Sequence, residues 1–137
     1  MATEDKIKSS FLLPLRLALS LALTGAIAFL SLIPGYPEED DPALVVALGT
    51  VPSLFQNAMH LVLYAVLTLF WAAALMRFGR LRHWAAIGVF VYGGMLEIAQ
   101  LFVDGRYASL LDIGLNGAGV LLGAALAARL IAPSPQA

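Results

Sequence analysis

The segment Glu97–Gly119, EIAQLFVDGRYASLLDIGLNGAG, sets a Glu, a Gln, an Arg, an Asp and an Asn inside one of the most apolar parts of the chain. How those polar residues are housed decides the fold. Of the 137 residues, 61% are hydrophobic and 12% are charged, and the charged share is about half that of a soluble globular domain. So short a chain cannot hide that much apolar surface in a core of its own. Its natural solvent is the bilayer, and its length suggests one domain.

Four runs are long enough to cross a membrane: residues 11–33, 54–76, 84–102 and 110–132. Each is near the ~20 residues a spanning helix needs. Apolar residues are continuous in these runs rather than alternating, which argues against membrane strands. Helices satisfy their own backbone, as lipid demands. The expected fold is therefore all-α: a polytopic membrane protein, one domain over residues 1–137, built as a bundle of four transmembrane helices. The first run follows Lys6 and Lys8 like a signal peptide, but its apolar core is too long and no small-residue cleavage site follows, so it reads as a retained helix. The absence of cysteine excludes disulfides, thiolate catalysis and cysteine metal sites.

Lys6, Lys8 and Arg16 sit at or ahead of the start of the first run. Arg77, Arg80, Arg82 and His83 fill the turn between the second and third, and Arg129 lies near the end of the fourth. The positive-inside rule places both termini and that turn in the cytoplasm. Residues 34–53 contain Glu38, Glu39, Asp40 and Asp41 but no Lys or Arg, and form an acidic outer loop. Within it Ala43–Gly49 is apolar but too short to span, so it lies at the interface or re-enters. Ser53 with Gln56, and Ser109 with Asp112, have capping-box spacing at the starts of the second and fourth runs.

On this topology the polar residues gather at one depth. Gln56, Asn57, His60 and Tyr64 occupy the outer turns of the second run, with 56, 60 and 64 on one face. Glu97 and Gln100 share the outer half of the third, Arg106 stands in the outer loop, and Asp112 and Asn116 share a face at the outer start of the fourth. An ionisable group inside a bilayer costs about 2.5–3.5 kcal/mol at mid-helix, so such groups face inward and pair. Arg106 is the expected bidentate partner of Glu97 or Asp112, with His60 bonding the remaining carboxylate. Gly119 and Gly123, with Ala127 a turn further, allow close helix packing and turn Asn116 inward. Gly93 and Gly94 are expected to serve the same end.

The spacing of Glu97, Gln100, Phe102, Arg106, Ser109, Asp112, Asn116, Gly119 and Gly123 resembles the signature of the VanZ-like proteins, small bacterial membrane proteins named after a teicoplanin-resistance factor. A second family signature has an Asp-Lys pair ahead of a His, then a Tyr one turn on. Here His60 and Tyr64 are present, and Gln56 and Asn57 stand in place of the charged pair. The resemblance covers residues 56–123 and implies a four-helix bundle in the bacterial cytoplasmic (inner) membrane.

The expected site is thus an outer-leaflet pocket made by His60, Tyr64, Glu97, Gln100, Arg106, Asp112 and Asn116. It would bind or handle a cell-envelope amphiphile, such as a lipid-linked precursor or a glycopeptide-type antibiotic, with Arg106 and the start of the fourth helix holding the head group. A second reading is an accessory subunit of a larger membrane complex, for example an energy-transducing assembly. A third is an enzyme on a lipid head group, with His60 or Glu97 as general base. No activated nucleophile is recognisable, because Ser109 is explained as a cap. A metal at His60, Glu97 and Asp112 is conceivable, but Arg106 would repel the ion and no local ligand pair exists. No metal or cofactor is therefore expected, and the partners expected are membrane lipids rather than nucleic acid.

Overall fold

The computed structural model describes residues 2–35, 38, 40–78 and 81–131, with side chains from residue 12 onward except 77 and 81–83. Its elements are α1 (Ala2–Ser31), α2 (Ala43–Gly49), α3 (Ser53–Leu75) with a following 3-10 turn at Met76–Phe78, α4 (Leu81–Gln100) and α5 (Leu110–Leu130). The first helix starts nine residues earlier than the apolar run, at Ala2 rather than residue 11, because hydropathy registers only the part suited to lipid. The third run ends early, at Gln100. Leu101, Phe102 and Val103 tighten into a turn by donating to Ile98, Ala99 and Gln100, three residues back. Arg80 and residue 132 lie outside the described residues.

Among the described residues, three helices are long and apolar enough to cross a membrane: α1 over Leu12–Ser31, α3 and α5. The apolar portion of α4 is the shorter Trp84–Gln100. Large apolar side chains point away from the bundle on every long helix, Leu21, Phe29, Val62, Met95, Ile98 and Leu121 among them. In water such a surface would be an aggregation liability. In lipid it is solvated, and the chain is built as a membrane protein.

The central helix is α3, which packs along α5 and against α4 and α1. Its buried residues, Tyr64, Ala65, Leu67, Thr68, Ala72 and Ala74, cover more than one face, as an element surrounded by neighbours requires. The buried residues of α5 follow one stripe, Asn116, Gly119, Val120, Gly123 and Ala127. A Cβ on Gly119 would overlap the Leu61 carbonyl oxygen, and one on Gly123 the Ala65 carbonyl oxygen. The glycine face of α5 is thus consumed inside the bundle, against the α3 backbone. The two glycines of α4 differ. A Cβ on Gly93 would lie 2.7 Å from the Tyr64 ring, whereas Gly94 has nothing within 4 Å.

The helices share two ends. At one, a guanidinium nitrogen of Arg16 donates to the Met76 sulfur at 2.8 Å and the Ala73 carbonyl at 3.5 Å, and Ala72, Ala85 and Ala127 meet. Small residues there let α3, α4 and α5 converge. The other end carries the starts of α3 and α5 and the ends of α1 and α4. There the Gly35 amide donates to the Asp104 carbonyl at 3.1 Å. A side chain on Gly35 would strike the Gly105 carbonyl, and Gly105 itself has φ 72°, a conformation glycine adopts without strain. The two loops are stapled together backbone to backbone.

Candidate functional site

The end away from Arg16 gathers every expected site residue. His60 lies two turns into α3, where its Nδ1 is 2.9 Å from Asn116 Oδ1 on α5. One further turn along, Tyr64 lies with its ring parallel to His60, centroids 6.4 Å apart. Tyr64 belongs equally to the core, packed with Ile27, Leu67, Val89, Leu96 and Val120.

The start of α5 is capped as its sequence predicts, in part. The Asp112 amide donates to Ser109 Oγ at 3.3 Å. The reciprocal bond of a capping box comes from elsewhere: the Ser109 amide donates to Glu97 Oε2 at 3.1 Å. Glu97 therefore fastens α4 to the first turn of α5 and occupies the place that Asp112 would otherwise take. At the start of α3 no such box forms. Pro52 is the N-cap residue and no side chain caps the helix, while Gln56 turns back to donate to the Val51 carbonyl at 2.7 Å.

The expected ion pair between Arg106 and a carboxylate is corrected. Arg106 Nε donates to the Ile33 carbonyl at 2.8 Å and a terminal nitrogen reaches the Leu30 carbonyl at 3.5 Å. The last carbonyls of a helix lack intrahelical partners and carry partial negative charge, so a cation serves them well. Gln100 does the same, donating to the Ser31 carbonyl at 3.0 Å. Sequence pattern could not foresee these partners, because a backbone carbonyl leaves no trace in residue identity.

His60, Glu97 and Asp112 come together from three helices, and each offers one ligand atom within 4.8 Å of the others. Glu97 is 2% exposed and Asn116 1%. The Asn116 amide nitrogen is buried without a hydrogen-bond partner. Beside this cluster lies a cavity of about 180 Å³ lined by Gln56, Asn57, His60, Gln100, Arg106 and Asp112, with Gly105 and Tyr107. A second cavity, mostly apolar, shares Gln56, His60, Gln100 and Arg106 and runs along Ile27, Val51, Phe55, Met59, Leu63 and Tyr64. Leu48 of α2 lines it as well, so the short apolar segment rests over this cavity.

The structure thus brings His60, Tyr64, Glu97, Gln100, Arg106, Asp112 and Asn116 to one end of the bundle, around two cavities that share lining residues. A set of polar contacts deeper in the bundle was not anticipated: Trp71 Nε1 donates to Thr24 Oγ1 at 3.1 Å and the Tyr92 hydroxyl to the Thr24 carbonyl at 2.6 Å. A family model described as VanZ/LLP1 matches residues 8–131. No curated protein and no solved structure matches the chain.

Proposed function

The chain belongs to the VanZ/LLP1 family, and from that premise we propose that it is a four-span protein of the bacterial cytoplasmic membrane that binds a cell-envelope amphiphile in an outer-leaflet pocket. Both termini face the cytoplasm in this reading, in keeping with Arg16, Arg77, Arg82 and Arg129 belonging to the end opposite the site. The amphiphile is a lipid-linked precursor or an antibiotic directed at one.

One observation carries the reading: an apolar cavity and a polar cavity meet at His60, Gln100 and Arg106. That is the shape of a molecule with a tail and a head. Phe55, Met59 and Leu63 suit an acyl or prenyl chain, and the polar groups suit amide or anionic functions. The site residues act as binding groups, and no nucleophile is assigned, since the Ser109 hydroxyl is occupied as a cap.

Native mass spectrometry of the full chain after gentle solubilisation tests this. The expected result is a retained amphiphile that disappears in Met59→Trp, which fills the apolar cavity and leaves the polar groups untouched. Equal retention by the variant, or no adduct beyond bulk lipid, overturns it. Migration with a large complex, insensitive to that variant, would favour an accessory-subunit role instead.

A further inference from the structure

His60, Glu97 and Asp112 are far apart in sequence and sit on α3, α4 and α5, yet their ligand atoms lie within 4.8 Å of one another. Neither carboxylate forms a salt bridge with Arg106, whose guanidinium donates to the Ile33 and Leu30 carbonyls. Two carboxylates this close in a poorly polarisable bundle repel strongly unless one of them holds a proton or a cation sits between them. Arg106 was the electrostatic reason to exclude a metal from this site. With that side chain anchored elsewhere, two negative charges face a single positive one, and a divalent ion is electrostatically admissible.

We propose that His60, Glu97 and Asp112 form a three-ligand site for a divalent transition metal, zinc being the best match, with Asn116 as its orienting residue. One imidazole and two carboxylates suit zinc or manganese, whereas magnesium and calcium favour oxygen alone. The Asn116 contact fixes the ring. With Oδ1 accepting from Nδ1–H, as the amide is placed, the Nε2 lone pair is left for the metal. This is the habitual arrangement of a metal-bound histidine, whose second nitrogen donates to a fixed acceptor.

A second feature points the same way. Asn116 is 1% exposed and its amide nitrogen has no partner. It is a donor still unsatisfied beside the cluster, where a metal-bound water or anion would accept from it. Glu97 spends Oε2 on the Ser109 amide, which leaves Oε1 for monodentate coordination. Three protein ligands leave a fourth position open in a tetrahedral site, and the polar cavity adjoins it. Water or an oxygen of an anionic head group would complete the shell. The inference does not rest on the amphiphile reading, because metal uptake is measured without lipid.

The test is titration of the full chain with Co²⁺, followed by displacement with Zn²⁺, in mild detergent after chelator treatment and removal of any affinity tag. One equivalent of Co²⁺ should bind and be displaced by Zn²⁺. His60→Ala and Asp112→Asn should each weaken binding at least tenfold, and Asn116→Ala by about 10–100-fold. Asp104→Asn, an exposed carboxylate outside the ligand set and outside both cavities, should bind as the unaltered chain does. Substoichiometric binding by the unaltered chain, or unchanged binding by both ligand variants, overturns the proposal. Should the ligand variants fail to fold, thermal unfolding of the unaltered chain decides: a midpoint raised by Zn²⁺ but not Mg²⁺ supports the site, and equal midpoints overturn it. Failure here alongside a retained amphiphile would leave the binding reading intact, and the converse result would leave the metal site intact.

Discussion

Glu97 stands inside an apolar run and ties α4 to the first turn of α5. An acid inside an apolar run demands a partner, and a salt bridge to Arg106 is the natural expectation. The partner is instead the Ser109 amide, a group invisible in a residue list. Glu97→Gln keeps an oxygen that can accept that bond, so it should hold stability within about 1 kcal/mol. Glu97→Ala abandons a buried amide and should cost about 1–3 kcal/mol; thermal unfolding in mild detergent compares the two. Arg106 separates in the same way. Arg106→Lys retains a cation for the Ile33 and Leu30 carbonyls but cannot reproduce the guanidinium's several donors. It should accumulate in the membrane better than Arg106→Ala, which immunoblotting of membrane fractions would report. That these residues would meet was legible from their common depth; which atoms they would touch was not, because three of the contacts end on backbone.

The glycines of the helices were legible as a class and not one by one. Spacing marks Gly119 and Gly123 as a packing face, and both abut α3 carbonyls. Gly93 and Gly94 are adjacent, and sequence alone cannot say which of them faces a neighbour. Gly119→Ala should cost about 1–3 kcal/mol by pushing α5 off α3. Gly94→Ala meets open space and should be neutral or stabilising by up to about 1 kcal/mol through helix propensity. Melting followed by size-exclusion fluorescence would rank them, and equal losses would contradict the packing described. The loop staple at Gly35 and Gly105 lay beyond sequence reading, since it joins segments about 70 residues apart whose pairing depends on where four helices end.

At the scale of the molecule, composition led directly to helices with outward apolar faces, because lipid leaves few alternatives. The run at 84–102 reads as a fourth span, and the described apolar stretch of α4 is the shorter Trp84–Gln100. The chain has no cysteine, which makes orientation easy to measure. In intact cells a membrane-impermeant maleimide should label Asp41→Cys and not Phe78→Cys, and permeabilisation should expose the latter; the reverse pattern would invert the topology. One further property follows from how α1 is attached. Few of its described side chains are buried, Ser20 and Ile27 among them, and it is tied to its neighbours by hydrogen bonds at Arg16, Thr24, Leu30 and Ser31. Hydrocarbon offers these bonds no competitor, but water does. Harsh extraction should therefore peel this helix away first, and deuterium uptake should begin along it while the remaining three stay closed.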